Sequence, residues 1–95
     1  MRKLTLPAIK AALADVKAWR KNGSAITRRY EFKDFVAAMK FVNAVAHLAE
    51  QAGHHPDIDI RWNKVTLTLA THDAAGLTQI DFQLAQRIDH LVPQP

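Results

Sequence analysis

Hydrophobic positions along the chain follow two periods, and the periods alternate in blocks. Leu6, Ile9 and Leu13 recur at helical spacing through about Ala14. Thr5 precedes them as a cap, and Pro7 sits in the first turn, where a missing N–H does no harm. Val16 to Arg20 then alternates as a half-buried strand does. Asn22-Gly23 is the dipeptide that best supplies two positive φ angles in a tight hairpin. Beyond it Ile26, Arg28, Tyr30 and Phe32 form one side of a second strand.

The longest helical pattern covers about residues 34–52, opened by Asp34 and stopped by Gly53. Phe35, Met39, Val42, Ala46 and Ala49 form its apolar stripe, and Phe41, Val45 and Leu48 widen it. So broad a face predicts packing on a sheet with one side and against another helix or subunit with a second. Pro56 prevents continuation, and Asp57 to Trp62 reads as a third strand with Ile58, Ile60 and Trp62 on one side. Asn63-Lys64 predicts a turn into a fourth strand, where Val65, Leu67 and Leu69 alternate with threonines. Thr78 with Asp81 three residues on approximates a capping box. The helix it opens, about 78–91, places Ile80, Leu84, Ile88 and Leu91 on one face, and Pro93 and Pro95 end the chain in a frayed tail. The order αββαββα predicts an α+β fold, a four-stranded antiparallel sheet with three helices on one face.

Composition narrows the class. The 95 residues make one domain, 1–95, with 48% hydrophobic and 23% charged positions, a globular balance. Without cysteine there is no disulfide framework and no thiolate metal site. No signal-peptide run or membrane span is apparent, so a cytoplasmic address is expected. The net charge of +4 is concentrated early: residues 1–40 carry ten Lys/Arg against three Asp/Glu, and residues 41–95 three against six. The basic residues are scattered and match no nucleic-acid motif, which favours an ordinary solvated surface over a nucleic-acid footprint.

Candidate chemistry gathers at element ends. His54 and His55 lie between Gly53 and Pro56, with Glu50 a turn upstream; Thr71-His72-Asp73 ends the fourth strand, and Asp81 opens the last helix. Histidine exchanges protons near neutrality, so three histidines and two carboxylates around turns point to proton transfer. The spacing matches no compact metal-ligand set, and no metal or other cofactor is expected. Plainer roles stand beside this. A loop histidine usually satisfies nearby carbonyls, Asp81 is favoured at a helix start by the dipole alone, Glu50 reads as an exposed helical residue, and Trp62 suits a core or interface as well as a substrate shelf.

Glu50-x3-His54-His55-Pro56, Trp62, Thr71-His72-Asp73 and Gly76-Leu77-Thr78-x2-Asp81 together resemble the signature of the pterin-4a-carbinolamine dehydratases. Phe32-Lys33-Asp34-Phe35 and the Asn63-x-Val65 turn are also similar to that family. The resemblance implies an αββαββα domain that dehydrates 4a-hydroxytetrahydropterin to quinonoid dihydropterin, recycling the pterin of an aromatic amino acid hydroxylase. It implies that His55 and His72 transfer protons, with His54 adjoining them and Asp81 orienting or tuning a histidine. Glu50 would help bind the ring, and Gly53, Pro56, Ala70, Thr71 and Asp73 would stand around the pterin. It also implies a homodimer or homotetramer. The alternative it leaves open is a protein-interaction module, since animal members also serve as a dimerisation partner for a transcription factor.

Overall fold

The computed structural model describes residues 2–93. Its elements are α1 (Leu6–Leu13), β1 (Arg20–Asn22), β2 (Ala25–Glu31), α2 (Phe35–Ala52), β3 (Asp57–Arg61), β4 (Lys64–Leu69), a single 3₁₀ turn at His72–Ala74, and α3 (Gln79–Asp89). The strands form one antiparallel sheet in the order β1-β2-β4-β3. Two hairpins are therefore joined through their inner strands, with Ile26 opposite Leu69 and Tyr30 opposite Val65. The expected α+β architecture and element order are present.

Both caps expected for the first two helices form. Thr5 Oγ1 accepts from the Ala8 N–H and Asp34 Oδ1 from the Ala37 N–H, each satisfying a donor the helix leaves free. The core lies between the helices and the inner strands. Ile26, Tyr30, Val65, Leu67 and Leu69 meet Ala38, Phe41 and Val45 of α2 and Leu84, Ala85 and Ile88 of α3. The six residues 14–19, between the end of α1 and the start of β1, add Val16 and Trp19 to this same core.

The structure corrects several local expectations. Residues 14–19 form successive turns, with the Val16 N–H on the Leu13 carbonyl and the Trp19 N–H on the Val16 carbonyl, so the strand expected there begins only at Arg20. The burial of Val16 and Trp19 follows a three-residue turn spacing that short alternation imitates. The first hairpin turns on Gly23-Ser24, because Asn22 pairs with Ala25, and Gly23 takes φ 62°. The second turns on Trp62-Asn63, because Arg61 pairs with Lys64. Asn63 is drawn inward there: its side-chain amide donates to the Phe32 carbonyl, and its own carbonyl accepts from the Phe32 N–H. Trp62 is left exposed, at φ 52°.

The helix faces also rotate from the expected ones. α2 buries Ala38, Phe41, Val42, Val45 and Ala49, whereas Phe35 and Ala46 are exposed. Val45 is therefore inside the chain's own core and is not a surface for a partner. On β3, an edge strand outside the helices' cover, Ile58 and Ile60 remain partly exposed. α3 ends at Asp89, which leaves Leu91 beyond the helix and exposed. Pro95, in the expected tail, lies outside the described residues.

One polar cluster is built into this core. Asp89 Oδ1 accepts from Trp19 Nε1 at 2.9 Å, the Tyr30 hydroxyl at 2.6 Å and Arg28 at 2.7 Å. Burial, with the hydrogen bond to Asp89 second, pushes the Tyr30 phenol far above its ordinary value of 10.0. Folded Tyr30 thus holds its proton more tightly than the unfolded chain does. The stability this contributes is complete below the ordinary value and is lost as pH rises beyond it. Urea midpoints at about pH 9 and about pH 11 should fall across that interval, and Tyr30→Phe should flatten the fall. An equal fall in the variant would count against this assignment.

Candidate active site

α2 ends in a way that fixes where its two histidines go. Gly53 takes φ 62°, its N–H bonds the Glu50 carbonyl, and the His54 N–H bonds the Ala49 carbonyl. This paired closure turns the chain sharply off the helix axis. A Cβ on Gly53 would meet nothing within 4 Å, so the demand for glycine is torsional alone. Gly53→Ala should therefore cost about 1 kcal/mol, read as a lowered urea midpoint. No measurable loss would show that the left-handed turn is not required.

The second wall comes from the segment after β4. Thr71 and Gly76 exchange backbone hydrogen bonds in an isolated bridge that closes the loop carrying His72. Ala75 takes φ 56° within that loop. The N-terminal segment braces it, with the Leu4 N–H on the Leu77 carbonyl and the Lys3 stem lying over Gly76.

Between these walls lies a cleft of about 240 Å³, with Gly53 to His55 on one side and Ala70 to Asp73 on the other. His54 Nε2 is 2.6 Å from Asp81 Oδ1; the His54 side chain is 13% exposed and that of Asp81 is fully buried. His55 Nε2 is 2.5 Å from Glu50 Oε2, and both of these side chains stand largely in solvent. Two carboxylate–imidazole pairs of opposite character thus occur at adjacent residues. Asp81 also accepts from the Thr78 N–H at 2.9 Å, the capping-box contact anticipated from the sequence.

A carboxylate only accepts, so the His54 nitrogen facing Asp81 carries the proton in that hydrogen bond. Nδ1 is then the ring atom left to exchange a proton with a ligand. His72 and Asp73 are exposed on the opposite wall. The cleft can therefore offer a fixed imidazole on one side and a solvated one on the other, the arrangement a paired proton transfer needs.

Seven of the residues expected at the site line this cleft: Gly53, His54 and His55 with Ala70, Thr71, His72 and Asp73. Asp81 lies behind His54, and Glu50 joins through His55. Pro56 is not on the lining; it stands half-buried at the entry to β3. The hydroxyl of Thr78, which the sequence marked as a cap and as part of the signature around Asp81 but not as a site residue, lies 2.9 Å from the Thr71 hydroxyl. Its place in that signature, three residues before Asp81, is the signal that connects it to the site. A larger depression of about 440 Å³ is lined by Arg20, Thr27, Arg28, Arg29 and Thr66 with Ala18. It holds no imidazole or carboxylate and is a poorer place for proton transfer. Among the described residues, no three His, Cys, Asp or Glu side chains converge in a way that could hold a metal ion.

The sequence model of the family described as pterin 4 alpha carbinolamine dehydratase matches residues 2–91. A relative from Koribacter versatilis is 53% identical over 90 residues, covering 95% of this chain and 96% of its own. One from Acidobacterium capsulatum is 56% identical over 92 residues, covering 97% and 100%. Both carry the name pterin-4-alpha-carbinolamine dehydratase as a provisional assignment. A crystal structure titled transcriptional coactivator/pterin dehydratase, from Brucella melitensis, superimposes with a TM-score of 0.91 at 36% identity, covering 95% of this chain and 98% of that one. A pterin dehydratase-like protein described as a RuBisCO assembly factor in the alpha-carboxysome superimposes at 0.69 and 28% identity, covering 78% and 88%. By the extent of these matches, the chain belongs to the pterin 4 alpha carbinolamine dehydratase family.

Proposed function

We propose that the chain dehydrates 4a-hydroxytetrahydropterin to quinonoid dihydropterin by histidine acid/base catalysis. The observation that carries this is the His54–Asp81 pair on the wall of a cleft shared with His55 and His72. In the reaction the C4a–O bond breaks and the 4a-hydroxyl leaves as water, taking a proton from an acid. The N5–H proton passes to a base, and the electron pair it leaves forms the C4a=N5 double bond. An imidazole suits both roles near neutral pH without extreme tuning. His54 enters with its ring fixed by Asp81, while His55 and His72 enter as more solvated groups. The test is a spectroscopic dehydration assay on purified protein with 4a-hydroxytetrahydropterin generated in situ. Acceleration over the buffer rate supports the reading, and a rate equal to buffer overturns it.

We also propose that the chain acts as a homo-oligomer. Phe35, Val36 and Trp62 are 48%, 63% and 63% exposed, and the edge strand β3 adds Ile58 and Ile60 at 38% and 36%. Bulky apolar side chains and an unpaired strand edge together are features that association covers. Light scattering at micromolar concentration should give a multiple of the 10.7 kDa chain mass. A monomer mass would sink the proposal. The same surface suits the alternative of a protein-interaction module, the kind of role for which both structural neighbours are named, one a transcriptional coactivator/pterin dehydratase and the other a RuBisCO assembly factor. A folded protein that oligomerises but has no dehydratase activity would favour that reading.

A further inference from the structure

Asp81 is fully buried, and a carboxylate so placed needs donors on both oxygens. Oδ1 faces His54 Nε2 at 2.6 Å. Oδ2 accepts from the Thr78 N–H at 2.9 Å and from the Thr71 hydroxyl at 2.8 Å. The hydroxyl direction follows from the chemistry, because the carboxylate has no proton to give. Thr71 therefore donates to Asp81, and the proton between the two hydroxyls, 2.9 Å apart, comes from Thr78.

The backbone of Thr71 is occupied as well. Its N–H bonds the Gly76 carbonyl, and its own carbonyl accepts from the N–H groups of Ala74 and Gly76. A residue on the cleft lining thus spends its backbone and its hydroxyl proton on the protein. We infer that Thr71 is a positioning residue: its hydroxyl holds Asp81 so that Oδ1 stays on His54, and it does not bind the ligand directly. The rate part of this inference rests on the dehydratase reading above; the geometric part does not.

The test compares Thr71→Val, which keeps the shape and removes the hydroxyl, with Thr71→Ser, which keeps the hydroxyl. Two measurements are made on each: dehydration kinetics, and nitrogen NMR of the His54 ring in ligand-free protein. Thr71→Val should lower kcat by about 10-fold, a part of what a positioned acid or base supplies, with KM little changed. It should also change the His54 ring resonances, and Thr71→Ser should restore both the rate and the resonances. A raised KM with unchanged kcat would make Thr71 a ligand contact and overturn the inference. So would His54 resonances unaltered by the valine. If Thr71→Val does not fold, Thr71→Ser still decides: a folded serine variant without the parent His54 resonances overturns the inference, and one that keeps them supports it. If the parent protein has no dehydratase activity, the functional reading fails, while the NMR comparison still decides the positioning role.

Discussion

Asp89→Ala should destabilise the fold by about 3 kcal/mol, the cost of removing one partner from a buried ion pair. In a domain of this size that is a drop in Tm of about 15 °C. The carboxylate serves three donors from two parts of the chain: Trp19 before β1, and Arg28 and Tyr30 on β2. The Arg28 side chain is only 14% exposed, and its guanidinium lies 4.2 Å from the centre of the Tyr30 ring. Without Asp89 that charge loses its partner in a place water reaches poorly, and the Trp19 and Tyr30 donors are left unmet. Asp89 stands at the C-terminal end of α3, where the helix dipole disfavours an anion, so Arg28 compensates it in turn. Eight residues separate it from Asp81, about 12 Å along the helix. Dehydratase activity measured well below the lowered Tm should therefore survive. Thermal unfolding followed by circular dichroism checks the prediction, and a Tm within about 3 °C of the parent would refute it.

This cluster shows where the sequence stops being legible. Helices and strands follow local pattern, and the local pattern was strong. Asp34 and Gly53 marked the ends of α2, and Val65, Leu67 and Leu69 alternate inward along β4 as expected. The Thr78–Asp81 cap likewise needed only a spacing of three. Asp89, by contrast, reads as one more acid at a helix end, and its partner Trp19 is 70 residues away. Such pairings depend on how layers stack, which no periodicity encodes. The segment 14–19 failed for a related reason. Two buried side chains three apart fit a turn, and the residues between them supplied an apparent alternation.

The candidate site divides the same way. Its members were recognisable because they cluster at element ends, and the cleft brings most of them together. Which histidine Asp81 serves was not readable, since His54 and Asp81 are 27 residues apart and His55 is one residue from His54. Gly53 decides it. The left-handed turn sends the His54 N–H back to Ala49 and its ring toward the start of α3, while His55 falls beside Glu50 in solvent.

Replacing the histidines one at a time should then give unequal losses. His54→Ala should lower kcat/KM by about 10²- to 10³-fold, and His72→Ala by about 10- to 10³-fold. These ranges sit below the upper limit for a positioned acid or base because the carbinolamine's own N5 lone pair helps expel the 4a-hydroxyl. His55→Ala should fall at the low end, about 10-fold, since its ring and the Glu50 carboxylate are both mostly in solvent. Asp81→Asn should cost less than His54→Ala, because the imidazole remains and loses only its orientation. It needs a stability control, as the same side chain also caps α3. The double variant His54→Ala/His72→Ala should lose less than the product of the single losses, because groups acting on one step are not additive. Steady-state kinetics on variants shown to be folded by circular dichroism checks the series. If His54→Ala and His72→Ala both keep full activity, the proton-transfer assignment is wrong, and the buried His54–Asp81 pair serves only to join the end of α2 to the start of α3.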